Sequence, residues 1–197
     1  RPCTVSRYPS RMPLNLPNSL TLARILMVPL MVIAFYLPFR GTNLIAAAMF
    51  TIAAITDWLD GYLARRYEQT SAFGAFLDPV ADKLAVTVAL FLIVQADKTA
   101  LMAVTAAIIV GREITISALR EWMAAIGERT KVGVAWLGKV KTVVQMIAII
   151  ILLMQHRYVG KPLYWFGKAL LIAAAALTIW SAVVYLRAAW PVIRSRA

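Results

Sequence analysis

A predominantly apolar stretch runs from Leu20 to Phe39, long enough as one helix to cross a hydrocarbon core of roughly 30 Å. Five more follow at Leu44–Thr56, Leu84–Val94, Ala100–Val110, Thr142–Met154 and Leu163–Leu186. They are parted by turn-forming or charged segments such as Arg40-Gly41-Thr42-Asn43 and Gly160-Lys161-Pro162. The four middle stretches are only 11 to 13 residues long, so each predicts a helix that continues through a charged flank. The charged end alternates. The second stretch gains Asp57, Asp60 and Arg65 at its C-terminal end, and the third has Asp78, Asp82 and Lys83 at its N-terminal end. The fourth gains Arg112 and Glu113 at its C-terminal end, and the fifth has Lys139 and Lys141 at its N-terminal end. With chain direction reversing at each turn, all these charges meet at one end of a bundle. The pattern predicts an all-α integral membrane bundle of six transmembrane helices over residues 18–197, behind a leader at 1–17. Prolines at 2, 9, 13 and 17 argue against a long helix before Asn18 or Ser19 caps the first apolar run. Met12 is a candidate natural start, so residues 1–11 stay outside the functional argument. No cleavable signal peptide is expected, and no fixed-period repeat is seen.

Composition narrows the class. Of 197 residues, 61% are hydrophobic and 15% charged, with a mean hydropathy of +0.74, which excludes an ordinary soluble domain. Twenty-one Lys and Arg against nine Asp and Glu give a net charge of +12. On the six-helix layout the far loops hold Arg40, Lys98, Arg157 and Lys161, with Lys168 nearby, which leaves sixteen basic residues on the other face. The positive-inside rule therefore predicts cytoplasmic N- and C-termini and a polar chamber open to the cytosol. The excess charge reads as attraction to anionic membrane lipids, with no nucleic acid partner. Lone Cys3 and lone His156 exclude a disulfide framework and a multi-histidine or cysteine metal cluster within the chain. Any metal chemistry rests on carboxylates.

Four of the nine acidic residues lie within 26 positions, and their spacing is helical. Asp57, Asp60 and Ala64 share one face of the second helix; Gly74, Asp78 and Asp82 share one face of the third. Two neighbouring helices can so aim four carboxylates at one point. An intramembrane carboxylate costs at least about 2.5–3.5 kcal/mol, and four like charges repel, so a compensating cation is needed. A carboxylate cage suits one or two Mg²⁺ or Mn²⁺ ions. Gly61, Ala64 and Gly74 keep the wall low for a large ligand, and Arg65 offers a fork-shaped donor to phosphate. Intramembrane acids also serve as proton relays or ion pathways, so a divalent-cation transporter stands as the alternative from another class.

These eight residues match D-x2-D-G-x2-A-R-x8-G-x3-D-x3-D at every fixed position, so the chain resembles the CDP-alcohol phosphotransferase family. The resemblance implies a six-helix membrane enzyme in which an alcohol attacks the β-phosphorus of a CDP-linked lipid and releases CMP. Asn15–Arg24, Gly111–Ala124 and Gly138–Met146 resemble the bacterial branch of that family that makes phosphatidylglycerophosphate. That likeness implies CDP-diacylglycerol and sn-glycerol 3-phosphate as substrates, a homodimer, and a multi-pass place in the bacterial cytoplasmic (inner) membrane with the active site facing the cytosol. Other acceptors, of the cardiolipin, inositol phosphate or serine type, are the alternatives within the family.

Carried onto this chain, the resemblance implies that Asp57, Asp60, Asp78 and Asp82 hold the metal and that Asp82 is the catalytic base. Gly61, Ala64, Arg65, Gly74, Thr21 and Arg24 fall to CDP-diacylglycerol, with Arg24 otherwise a snorkelling arginine. Arg112, Arg120, Lys139 and Lys141 offer an anionic pocket for the phosphate of glycerol 3-phosphate, or else anchor the cytoplasmic face, and Glu113 holds one of them in place. Trp58, Trp122, Trp136, Trp165 and Trp190 fit interfacial belts.

Overall fold

The structure, a computed structural model, describes residues 16–67, 72–126 and 135–196, and these are helical apart from short turns. The stretches are α1 (Leu16–Tyr36), α2 (Thr42–Tyr67), α3 (Ala72–Asp97), α4 (Ala100–Ala125) and α5 (Ala135–Arg196). Within α5 the backbone leaves helical geometry at Gln155 (φ 58, ψ 162) and Gly160 (φ 78, ψ 158). The chain folds back there. In one straight helix Ile151 and Gly167 would stand about 24 Å apart, yet a Cβ added to Gly167 would lie 2.7 Å from Ile151 Cγ2. The two arms, 135–154 and 161–196, therefore form a hairpin, and the described residues hold six helical rods as the hydropathy pattern predicts.

Each short apolar stretch continues through its charged flank. α2 passes Asp57 and Asp60 to reach Tyr67, α3 starts ahead of Asp78 and Asp82, α4 runs past Glu113 to Ala125, and α5 begins ahead of Lys139 and Lys141. The first helix corrects the expectation. It starts at Leu16 with no cap at Asn18 or Ser19, because Pro17 fits a first turn where no N–H is needed. It ends at Tyr36, short of Phe39, where Pro38 cannot extend the ladder. Residues 1–15 of the expected leader lie outside the described residues. Gly41, at φ 98, makes the turn into α2, a conformation that favours glycine.

α3 touches every other helix. Ala81, Ala85 and Ala89, at successive turns, are 0–6% exposed, and their small side chains let neighbouring backbones approach closely. Around them Met31, Phe50, Leu90, Ile109, Ile149, Leu152 and Leu171 form one core. The outer surface is apolar as well: Leu26, Leu30 and Ile33 of α1 are 52–65% exposed, while Arg24, Lys141 and Lys168 are buried. This inverts the soluble pattern. Ser19–Tyr36, Ala100–Ala125 and Arg157–Pro191 are each long and apolar enough to cross a membrane; Thr42–Asp57 and Val140–Gln155 are shorter apolar helices. Trp122, Trp165 and Trp190 are exposed, as is Trp180; the side chains of Trp58 and Trp136 lie outside the described residues.

Polar groups gather in two layers. Arg24–Asp57 and Glu113–Lys141 pair at one end, and Asp97–Lys168 at the other, with Asp97 about 22 Å beyond Asp82 along α3. Between them the described helices pack through an apolar core. One close contact is at Gly167, whose added Cβ would also meet Ile151 Cβ at 3.2 Å, a β-branched side chain with little rotamer freedom. Gly167→Leu is expected to cost about 1–3 kcal/mol by overpacking, read as a lower thermal midpoint in detergent, with a smaller loss of the same sign for Gly167→Ala.

Candidate active site

Thr21 and Arg24 lie on the face of α1 that also buries Val28 and Met31, and are 1% and 2% exposed. Arg24 Nη1 donates to Asp57 Oδ1 across to α2. A guanidinium this far from water needs a carboxylate partner, so Arg24 is a built-in counter-charge and not a snorkelling arginine. The Asp57 side chain keeps 44% of its surface exposed, which leaves carboxylate surface for a ligand. Asp82 of α3 lines the same narrow cleft, floored by Phe50, Ala53 and Met146. Asp60 and Asp78 lie on the helical backbone of α2 and α3 one turn from these two acids. The side chains of Asp60, Gly61, Ala64, Arg65, Gly74, Asp78 and Lys139 lie outside the described residues. Among those described, Asp57 and Asp82 are the carboxylates brought to this cleft, and hard oxygen donors of this kind suit Mg²⁺ or Mn²⁺.

A second cluster joins α4 and both arms of α5. Glu113 Oε1 accepts from Lys141 Nζ at 2.6 Å and from Arg112 Nη1 at 3.1 Å. Arg112 Nη2 donates to Ser181 Oγ at 2.8 Å, and Ser181 donates in turn to the Thr178 carbonyl at 2.9 Å. Arg112 Nε is buried with no partner among the described residues. One carboxylate thus serves two cations, which leaves positive charge over for an anion. The expectation that Glu113 holds a basic side chain extends to two of them. Lys141, 4% exposed, is no surface anchor. Arg120 is exposed and sits over the Tyr185 ring at 5.6 Å, outside this hydrogen-bonded set.

Between the two groups lies a cavity of about 70 Å³ whose walls include Asp82 and Thr87 of α3, Glu113 of α4, and Thr142, Gln145 and Met146 of α5. Asp82 borders both this cavity and the Asp57 cleft. The arrangement suits a reaction between a cation-bound phosphate on one side and an anionic hydroxyl compound on the other. Ser181 and Gln145 are missed by sequence reasoning. Ser181 has no signal except polarity within Leu163–Leu186; Gln145 is four residues after Lys141, on the same helical face.

Residues 14–180 match the model of the CDP-alcohol phosphatidyltransferase family, and the chain belongs to that family. Among its relatives, a protein of Sodalis glossinidius (strain morsitans) named CDP-diacylglycerol–glycerol-3-phosphate 3-phosphatidyltransferase is 51% identical over 178 residues, covering 90% of this chain and 96% of the relative. Proteins of the same name from Pseudomonas fluorescens and Haemophilus influenzae (strain ATCC 51907 / DSM 11121 / KW20 / Rd) are similar. They are 49% and 50% identical, over 92% and 90% of this chain and 93% and 95% of their own lengths.

Proposed function

We propose that this chain transfers the phosphatidyl group of CDP-diacylglycerol to sn-glycerol 3-phosphate, giving phosphatidylglycerophosphate and CMP. The observation that carries the reading is the position of Asp82, between the Asp57 cleft and the cationic cluster of Arg112 and Lys141. Relatives about half identical over nine-tenths of the chain bear the name of that activity. Asp57, Asp60, Asp78 and Asp82 would hold one or two Mg²⁺ or Mn²⁺ ions, which supply charge neutralisation to the pyrophosphate and the departing CMP. Arg24 orients Asp57 through its guanidinium hydrogen bond. Asp82 takes the proton from the primary hydroxyl of glycerol 3-phosphate as its oxygen bonds to the β-phosphorus and the bond to CMP breaks. Thr21, Gly61, Ala64, Arg65 and Gly74 complete the lipid nucleotide side.

Arg112 and Lys141 bind the acceptor phosphate, and Arg120 and Lys139 add to the positive field. Arg112→Gln is expected to raise KM for glycerol 3-phosphate by tenfold or more, since a hydrogen bond to a charged group is worth about 1.5–3 kcal/mol. KM for CDP-diacylglycerol should stay within about twofold; the opposite split would remove Arg112 from the acceptor site.

The reading places six helices in the bacterial cytoplasmic membrane, with both termini and the site on the cytosolic side, and the chain as a homodimer. Three helices of spanning length, an apolar exterior and the one-sided basic residues support the membrane placement. The deciding experiment supplies purified protein with CDP-diacylglycerol, Mg²⁺ or Mn²⁺, and one acceptor at a time, and measures CMP. Metal-dependent release with glycerol 3-phosphate alone is expected. Release with serine, inositol phosphate or phosphatidylglycerol instead would reassign the acceptor, and metal flux across sealed vesicles without CMP release would make the chain a transporter.

A further inference from the structure

Gln145 is 5% exposed and lines the cavity between α3, α4 and α5, yet its amide has no hydrogen-bond partner among the described residues. The cavity walls mix Val86, Ile109 and Met146 with Asp82, Thr87, Glu113 and Thr142, a lining that suits a small polar molecule. The Gln145 amide is therefore uncommitted to other described side chains and faces the space that a bound molecule would fill. A carboxamide both donates and accepts, which matches an alcohol hydroxyl, itself a donor and an acceptor.

The neighbouring groups say which hydroxyl. Gln145 follows Lys141 by one helical turn and so shares its face; Lys141 is held by Glu113, whose carboxylate borders the same cavity. Asp82 borders it from α3. An acceptor with its phosphate at Arg112 and Lys141 and its reacting hydroxyl at Asp82 would occupy the cavity that Asp82, Glu113 and Gln145 line. We propose that Gln145 hydrogen-bonds the secondary hydroxyl of a glycerol-type phosphate and so determines acceptor specificity. This rests on the function proposed above and adds a residue and a selected group to it.

The test compares two acceptors in one protein preparation: sn-glycerol 3-phosphate, and 3-hydroxypropyl phosphate, which keeps the phosphate and the primary alcohol but lacks the secondary hydroxyl. CMP release gives kcat/KM for each, and their ratio is independent of the fraction of active protein. The wild-type chain is expected to favour glycerol 3-phosphate by at least about tenfold, because a site built around a hydroxyl rejects the analogue that lacks it. Gln145→Met, which preserves length and apolar packing, should bring the ratio to within about threefold of unity, chiefly by losing activity on glycerol 3-phosphate. Gln145→Leu gives the same reading if the methionine variant fails to fold. A wild-type ratio near unity would overturn the proposal, and so would a variant that keeps the wild-type preference. If the wild-type protein releases no CMP with either acceptor, the function proposed above fails and this inference falls with it, a result distinct from loss of discrimination alone.

Discussion

Asp82→Asn is expected to slow CMP release by about 10²–10⁴-fold, the usual contribution of a positioned general base, while the bundle stays folded. The substitution keeps the shape of the side chain and its place between the two cavities but removes the lone pair that accepts a proton. Asp82 also stands with Asp57 among the carboxylates proposed to hold the cation, so the variant changes two things at once. Titration with Mn²⁺ separates them. A defect in metal holding is recovered in part at high Mn²⁺, whereas loss of the base persists at saturation. Turnover at the wild-type rate by a monodisperse Asp82→Asn protein that still binds Mn²⁺ would falsify the base assignment.

The placement of Asp82 was readable because it follows from two periodicities. Helical spacing puts Asp57 and Asp60 on one face and Asp78 and Asp82 on another, and the alternation of charged flanks brings both faces to one end of the bundle. The same reasoning anticipated how each short apolar stretch is lengthened into a helix. It named Arg24 but did not reach its burial and pairing with Asp57. A lone arginine in an apolar run suits snorkelling as well as burial, and only the packing of α1 against α2 decides between them. Ser181 escaped for a related reason: its partner Arg112 lies 69 residues away, and no local spacing marks a hydroxyl that will meet a guanidinium on another helix. The break at Gln155 was also hidden, since the turn signal at Gly160-Lys161-Pro162 lies downstream of where the backbone first departs from the helix.

The charges divide into two layers with different work. At the Asp82 end, among the described residues, Glu113 pairs with both Arg112 and Lys141, and Arg24 pairs with Asp57; the proposed function assigns the remaining charge to substrate and metal. At the far end the buried charges are satisfied by the protein's own groups. Asp97 accepts from Lys168 Nζ at 2.6 Å, from Tyr164 Oη at 2.7 Å and from Thr99 Oγ1 at 2.5 Å. The Lys168 ammonium also stands 4.6 Å from the Trp165 ring centroid and 5.2 Å from that of Tyr164, positions at which a ring face attracts a cation. Sequence reading counted Lys168 near the far loops; the structure makes it half of a buried pair that ties the end of α3 to the second arm of α5.

That pair sets the second large expectation. The side chains of Asp97 and Lys168 are 4% and 11% exposed, so removing one strands the other in a medium that solvates it poorly. Asp97→Ala is expected to destabilise the protein by about 3–5 kcal/mol, the range for breaking a buried ion pair from one side. For a chain of this size that corresponds to a thermal midpoint in detergent lower by about 10 °C. Asp97→Leu combined with Lys168→Met should recover most of the loss, because apolar replacement of both partners removes the stranded charge. The site itself should be untouched: with Asp97 about 22 Å from Asp82 along α3, protein held below its midpoint should release CMP at close to the wild-type rate. A single variant that melts with the wild type would mean the pair adds nothing to stability. A double variant no better than Asp97→Ala would shift the stabilising role to the hydrogen bonds of Tyr164 and Thr99, which both variants lose alike.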